Sequence, residues 1–208
     1  MKLRITMIVS PLLVISAALT HGAAANDEQH STPKRFSGPV TGTLFQQGLL
    51  FSSTEGRFSI RLPAGFPTFK ESVSNQTTGV GDIELHMFSS GIPRGACIIG
   101  YSDFPPPTFE GRTAEKILED GRDGALSNVS GTLEKQEQTT IQGHPALIIY
   151  ATATAEGRPV FIRFHFVLVQ PRAYQFGFLT YDRGNLESLE VEAYFKSFRL
   201  QQRAPAPH

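Results

Sequence analysis

The chain has 208 residues, with 19 Lys and Arg set against 19 Asp and Glu, one cysteine and no tryptophan. A balance this even leaves no basic footprint for nucleic acid or an anionic membrane surface. A lone cysteine excludes an internal disulfide framework, so a hydrophobic core must hold the fold, and a chain of this length can build one.

Lys2 and Arg4 precede an apolar run from Met7 to Leu19, which ends at Ala23-Ala24-Ala25. That layout is a secretory signal peptide, spanning residues 1–25. The run is shorter than the ~20 residues that span a bilayer and contains Pro11, so cleavage before Asn26 and no stable membrane insertion are expected. Cleavage removes two of the 19 basic residues and no acidic one, leaving a net charge near −2. The mature protein is then periplasmic or secreted. Residues 26–50 form a flexible leader, polar and proline-containing over Asn26–Pro39, with a short edge strand predicted over Thr41–Phe51.

A single domain over residues 51–200 follows. Phe58, Ile60 and Leu62 alternate with Ser59 and Arg61, a half-buried strand stopped by Pro63. Phe69–Asn75 and Val80–Ser89 pair around a turn at Gln76–Gly79. In the second of these, Ile83, Leu85 and Met87 are assigned to the core, and Asp82, Glu84, His86 and Phe88 face away. Ala96–Asp103 is another strand, and its Cys97 is an inert buried thiol. The proline-rich loop Phe104–Phe109 cannot join a ladder. A helix then runs over Ala114–Val129, capped by Thr113 with Glu115 in its first turn. Its inner stripe of Ala114, Ile117, Leu118, Gly121, Ala125 and Val129 suits packing against a sheet.

Thr132–Ile141 reads as a polar edge strand. Three strands dense in Ile, Val, Phe and Tyr come next, Ala146–Ala155, Pro159–Gln170 and Ala173–Tyr181. The short turns between them require antiparallel hairpins. In the middle one, Val160, Ile162, Phe164, Phe166 and Leu168 make one apolar face. The other, Phe161, Arg163, His165, Val167 and Val169, is apolar with two polar intrusions. A strand apolar on both faces is covered on both. A second helix over Leu186–Ser197, capped by Asp182 or Asn185, closes the domain, and residues 201–208 form a disordered tail. The fold class is α+β, an α/β/α sandwich with a mostly antiparallel central sheet.

Four segments occur in a suggestive order: Gly56–Pro63, the helix Ala114–Val129 with its Gly-Ala-Leu, Ile141-Gln-Gly-His-Pro-Ala146, and Ala193-Tyr-Phe-Lys-Ser-Phe-Arg-Leu200. With them the chain resembles the Mog1/PsbP-like domains, including small exported bacterial proteins of unknown function. The resemblance covers roughly Phe51–Leu200 and implies an α/β/α sandwich around an antiparallel sheet. It also implies a non-catalytic role, since the better-known members are accessory or binding proteins. No site residue and no cofactor is carried over.

Three groups of residues are candidates for function. Asp82, Glu84 and His86 share a strand face, but alternate side chains stand about 7 Å apart and a third strand would have to complete a metal site. A solvated face gives the same pattern, so no metal is assigned. Arg163 and His165, with Tyr150 or Tyr181 near, mark a crevice for an anionic or amphiphilic ligand, or else a gap where they meet water or an acid such as Glu156. Phe104 and Phe109 flank a stiff proline run that would make a docking surface if exposed and an ordinary connection if tucked inward.

No phosphate-binding loop, metalloprotease motif, nucleophile elbow or paired-cysteine motif occurs. The expected function is an exported, non-catalytic accessory domain docking on another envelope protein. The alternatives are a binder of a small amphiphilic or anionic ligand between sheet and helix, and an enzyme whose site is assembled from distant residues.

Overall fold

The computed structural model describes residues 48–78 and 81–201. The signal peptide, the leader up to residue 47 and the tail beyond residue 201 lie outside the described residues. Ten strands and two helices follow in order: β1 (Leu50–Ser53), β2 (Phe58–Arg61), β3 (Lys70–Thr78), β4 (Gly81–Ile92), β5 (Gly95–Asp103), α1 (Ala114–Asn128), β6 (Thr132–Ile141), β7 (His144–Ala155), β8 (Arg158–Val169), β9 (Arg172–Thr180), α2 (Leu189–Lys196) and β10 (Arg199–Leu200). Among the described residues no helix is long and apolar enough to cross a membrane.

Seven strands form one sheet in the order β3-β4-β5-β9-β8-β7-β6, with every neighbouring pair antiparallel. The chain leaves the middle of this sheet at β5, crosses one face as α1 and returns from the far edge by the meander β6 to β9. Two hairpins turn on Gln142-Gly143 and Glu156-Gly157. All four residues have positive φ, between 51° and 81°, which is the type I′ turn whose twist matches the flanking strands. The Gln170–Pro171 peptide between β8 and β9 is cis. The edge strand β6 is polar and mostly exposed, as is β3 over residues 70–75, whereas β5, inside the sheet, is buried from Gly95 to Ser102.

The expected single sheet has a second, smaller companion. β2 pairs with β1 on one side and with β10 on the other. This three-stranded layer and α2 cover one face of the large sheet, and α1 covers part of the other. Each face then has its own core. The first is aromatic, built on Phe58, Phe176 and Phe198; the second is mainly aliphatic, built on Leu147, Ile149, Val160 and Ile162.

The structure revises three boundaries and one facing. The turn predicted at 76–79 is narrower, because β3 runs on to Thr78 and β4 starts at Gly81. The closing helix starts later: Asp182 caps a 3-10 turn over Arg183–Glu187, and α2 begins after Ser188, whose hydroxyl accepts from the Val191 amide. His86 and Phe88 do not face water. The small sheet covers Phe88, whose ring is 5.1 Å from Phe51 and 5.9 Å from Phe58, and His86 is buried against Tyr101. An alternating strand reads as one-sided when the layer that buries its other side is distant in sequence.

Candidate functional site

Arg163 and His165 leave the same face of β8 and are brought together beneath α2. The Arg163 Nε donates to His165 Nε2 at 3.2 Å, and its guanidinium forms a salt bridge with Glu192. It lies 4.4 Å from the Phe195 ring centre and 5.5 Å from that of Tyr150. A guanidinium N–H can only donate, so His165 Nε2 is an acceptor and the imidazole proton sits on Nδ1. That Nδ1 is buried without a hydrogen-bond partner among the described residues. Burial, and then the Arg163 charge, push the His165 pKa down to about 3. The same arginine holds the Glu192 carboxyl below its usual range.

The acid that meets Arg163 is thus Glu192, not Glu156, and the guanidinium fork is already occupied. Tyr150 belongs to this group, as the direct cross-strand partner of Arg163. Tyr181 does not: it packs with the core on the opposite face and lies under Arg158, 4.0 Å from the ring centre. The cluster is a buried strut that pins α2 to the sheet, with its charges paired and little room for an anion.

Asp82 is exposed, whereas His86 is only 8% exposed and lies between two carboxylates, Glu84 at 2.6 Å and Glu71 at 3.3 Å. Its ring stacks on Tyr101 at 4.5 Å, and Arg172 covers Tyr101 at 4.3 Å. Arg172 in turn grips Asp103 through two contacts of 2.6 Å and donates to the Glu55 carbonyl. Arg172 holds the Asp103 carboxyl below its ordinary value, and burial pushes the Tyr101 hydroxyl up to about 12. This stack ties β4, β5 and β9 to the β1–β2 turn. Among the described residues no group of three His, Cys, Asp or Glu side chains could hold a metal ion. Cys97 is buried, and burial raises its pKa well above the usual thiol range.

Phe104 and Phe109 are half-buried, and Phe109 packs against the core under α1. The exposed aromatic pair required of a docking surface is therefore not formed. Phe104 instead lines a cleft of about 80 Å³ between α1 and the large sheet.

The cleft follows from covering a wide sheet with one helix. α1 packs over β6, β7 and β8, and the cleft opens beside it over parts of β4, β5 and β9. Its near wall is Ile117, Leu118, Gly121, Gly124, Ala125 and Asn128, and its floor includes Ile83, Leu85, Ser102, Phe166, Ala173 and Gln175. The glycines give it depth: a Cβ on Gly121 would come no nearer than 3.9 Å to Phe166. The helix stripe of small residues was visible in the sequence, but it read as close packing. Ser102 and Gln175 carried no signal, because a polar residue near a strand end ordinarily meets water.

No protein-family model and no curated protein matches the chain. Among solved structures, the cyanobacterial PsbP (CyanoP) of Synechocystis sp. PCC 6803 superposes with a TM-score of 0.50 at 12% identity, over 79% of this chain and 98% of that one. A Pseudomonas aeruginosa protein of unknown function, described as a putative regulator, gives 0.36 at 15% identity over 78% and 99%. The Pseudomonas aeruginosa T6SS immunity protein TplEi, solved with a peptide, gives 0.36 at 12% over 70% and 59%. The first of these likenesses is one of fold. The chain has a PsbP-like α+β fold, and at such identities no residue role passes across.

Proposed function

We propose that the protein is an exported, non-catalytic binding domain that holds a small amphiphile in the cleft between α1 and the large sheet. The observation that carries this reading is the cleft itself: concave, lined mostly by apolar side chains and open to one side beside a helix whose glycines leave room, so that it seats part of an amphiphile whose remainder lies outside. Ligand sites of this kind need apolar walls with a few polar groups, and Ser102 and Gln175 supply those. Among the described residues no Asp, Glu, Lys, Arg or His lines the cleft, which favours a neutral ligand over a charged one. The predicted signal peptide supports a place outside the cytoplasm. The interaction with an envelope protein expected from the loop 104–109 has lost its exposed rings, and Phe104 is better used at the cleft.

The test uses N-phenyl-1-naphthylamine, a dye that brightens in apolar sites. It is expected to bind the purified protein, and Ala125→Phe, which fills the cleft, is expected to abolish binding while the melting temperature holds. Equal binding by that folded variant would refute the reading.

A further inference from the structure

Ser102 is only 7% exposed and lies on the cleft floor, where its hydroxyl can both donate to and accept from a bound molecule. Two residues away across the β5–β9 ladder stands Gln175, since Ser102 pairs with Ala173 and Gly100 with Gln175. The Gln175 amide nitrogen reaches only the Met87 sulfur, at 3.2 Å, which is a weak acceptor. Diagonal neighbours across antiparallel strands are within reach of a long side chain, so one small polar group can meet both residues. An ionised head would lose its hydration here and find no counter-charge, whereas a neutral head needs only hydrogen bonds.

Resting on the cleft reading above, we infer that the site selects uncharged amphiphiles: the apolar body lies between α1 and the sheet, and a neutral hydroxyl or amide head bonds to Ser102 and Gln175. This class excludes the anionic ligand that Arg163 suggested in the sequence, because that guanidinium lies on the other face and is paired with Glu192.

The experiment is displacement of N-phenyl-1-naphthylamine by 1-decanol, decanamide and decanoate, whose chains are of equal length, at pH 8. The alcohol and the amide are expected to compete at concentrations about tenfold or more below the carboxylate, because the charge must be desolvated. Ser102→Ala, and separately Gln175→Leu, are expected to weaken decanamide by about three- to tenfold relative to the dye in the same variant, the worth of one hydrogen bond. Equal competition by decanoate overturns the neutral selectivity. Undiminished decanamide binding in both folded variants overturns the assignment of the head. If neither dye binding nor thermal stabilisation by 1-decanol is seen with the unaltered protein, the cleft reading fails, and this inference with it.

Discussion

On the face of the large sheet that carries Phe176, aromatic rings from distant parts of the chain meet: Phe176 stacks on Phe198 at 4.4 Å, and Phe58 lies 6.2 Å from Phe198. On the face beneath α1 the residues are mostly aliphatic and a cleft stays open. The difference is one of coverage. A helix with its side chains is about 10 Å wide, and strands repeat at about 4.8 Å, so one helix shields only two or three strands. The first face has α2 and a whole second sheet over it. The second has α1, lying over β6 to β8, with Phe109 tucked in beside it.

Large-to-small substitutions give the largest expected contrast. Phe176→Ala removes a ring with no exposed surface and is expected to cost about 3–5 kcal/mol in urea denaturation. Ile83→Ala at the cleft floor is expected near the low end for its type, about 2 kcal/mol, because the space it leaves joins an existing opening. Equal losses would mean that the two faces are packed alike.

The next effect is one of pH and belongs to the aromatic face alone. His165 is neutral in the fold, with a pKa of about 3 against an ordinary 6.5. Below pH 6.5 the unfolded chain takes up a proton that the folded chain refuses, so stability falls from there down to about pH 3. The slope approaches about 1.4 kcal/mol per pH unit. His165→Phe is expected to flatten the curve between pH 6.5 and 4.5, measured as the difference from the unaltered protein. Identical slopes would show that the imidazole is not held neutral.

Two glycines sharpen the comparison on the open side. A Cβ on Gly177 would meet the Phe164 ring at 2.2 Å and the Arg163 carbonyl at 2.9 Å, so Gly177→Ala should destabilise by about 1–3 kcal/mol. Gly121→Ala meets only Phe166, at 3.9 Å. As a helix-interior change it should stabilise by about 0.5–1 kcal/mol. Thermal melts of the two variants should move in opposite directions, and a loss of stability in Gly121→Ala would place the helix closer to the sheet than described here.

Much of the fold is legible in local patterns. Alternation and turn residues located β7, β8 and β9, and the Thr113 cap located α1, with its hydroxyl accepting from the Lys116 amide as expected. The reading weakened where a partner comes from far along the chain. Phe88 was turned outward because β1 and β2, which cover it, carry no label naming their target, and His86 because its stacking partner Tyr101 lies on the neighbouring strand. Arg163 and His165 were recognised as buried polar residues that need partners, but Glu192 is 29 residues from Arg163, and only the docking of α2 brings it there.

The α+β class, the antiparallel meander and the polar edge strand β6 rest on features a few residues long, and these the amino-acid sequence determined by itself. Which face each polar residue joined, which acid met Arg163 and where the sheet stayed uncovered were decided by tertiary structure. Those outcomes depend on how wide a surface each layer covers. Coverage belongs to the assembled layers, and no segment encodes it alone.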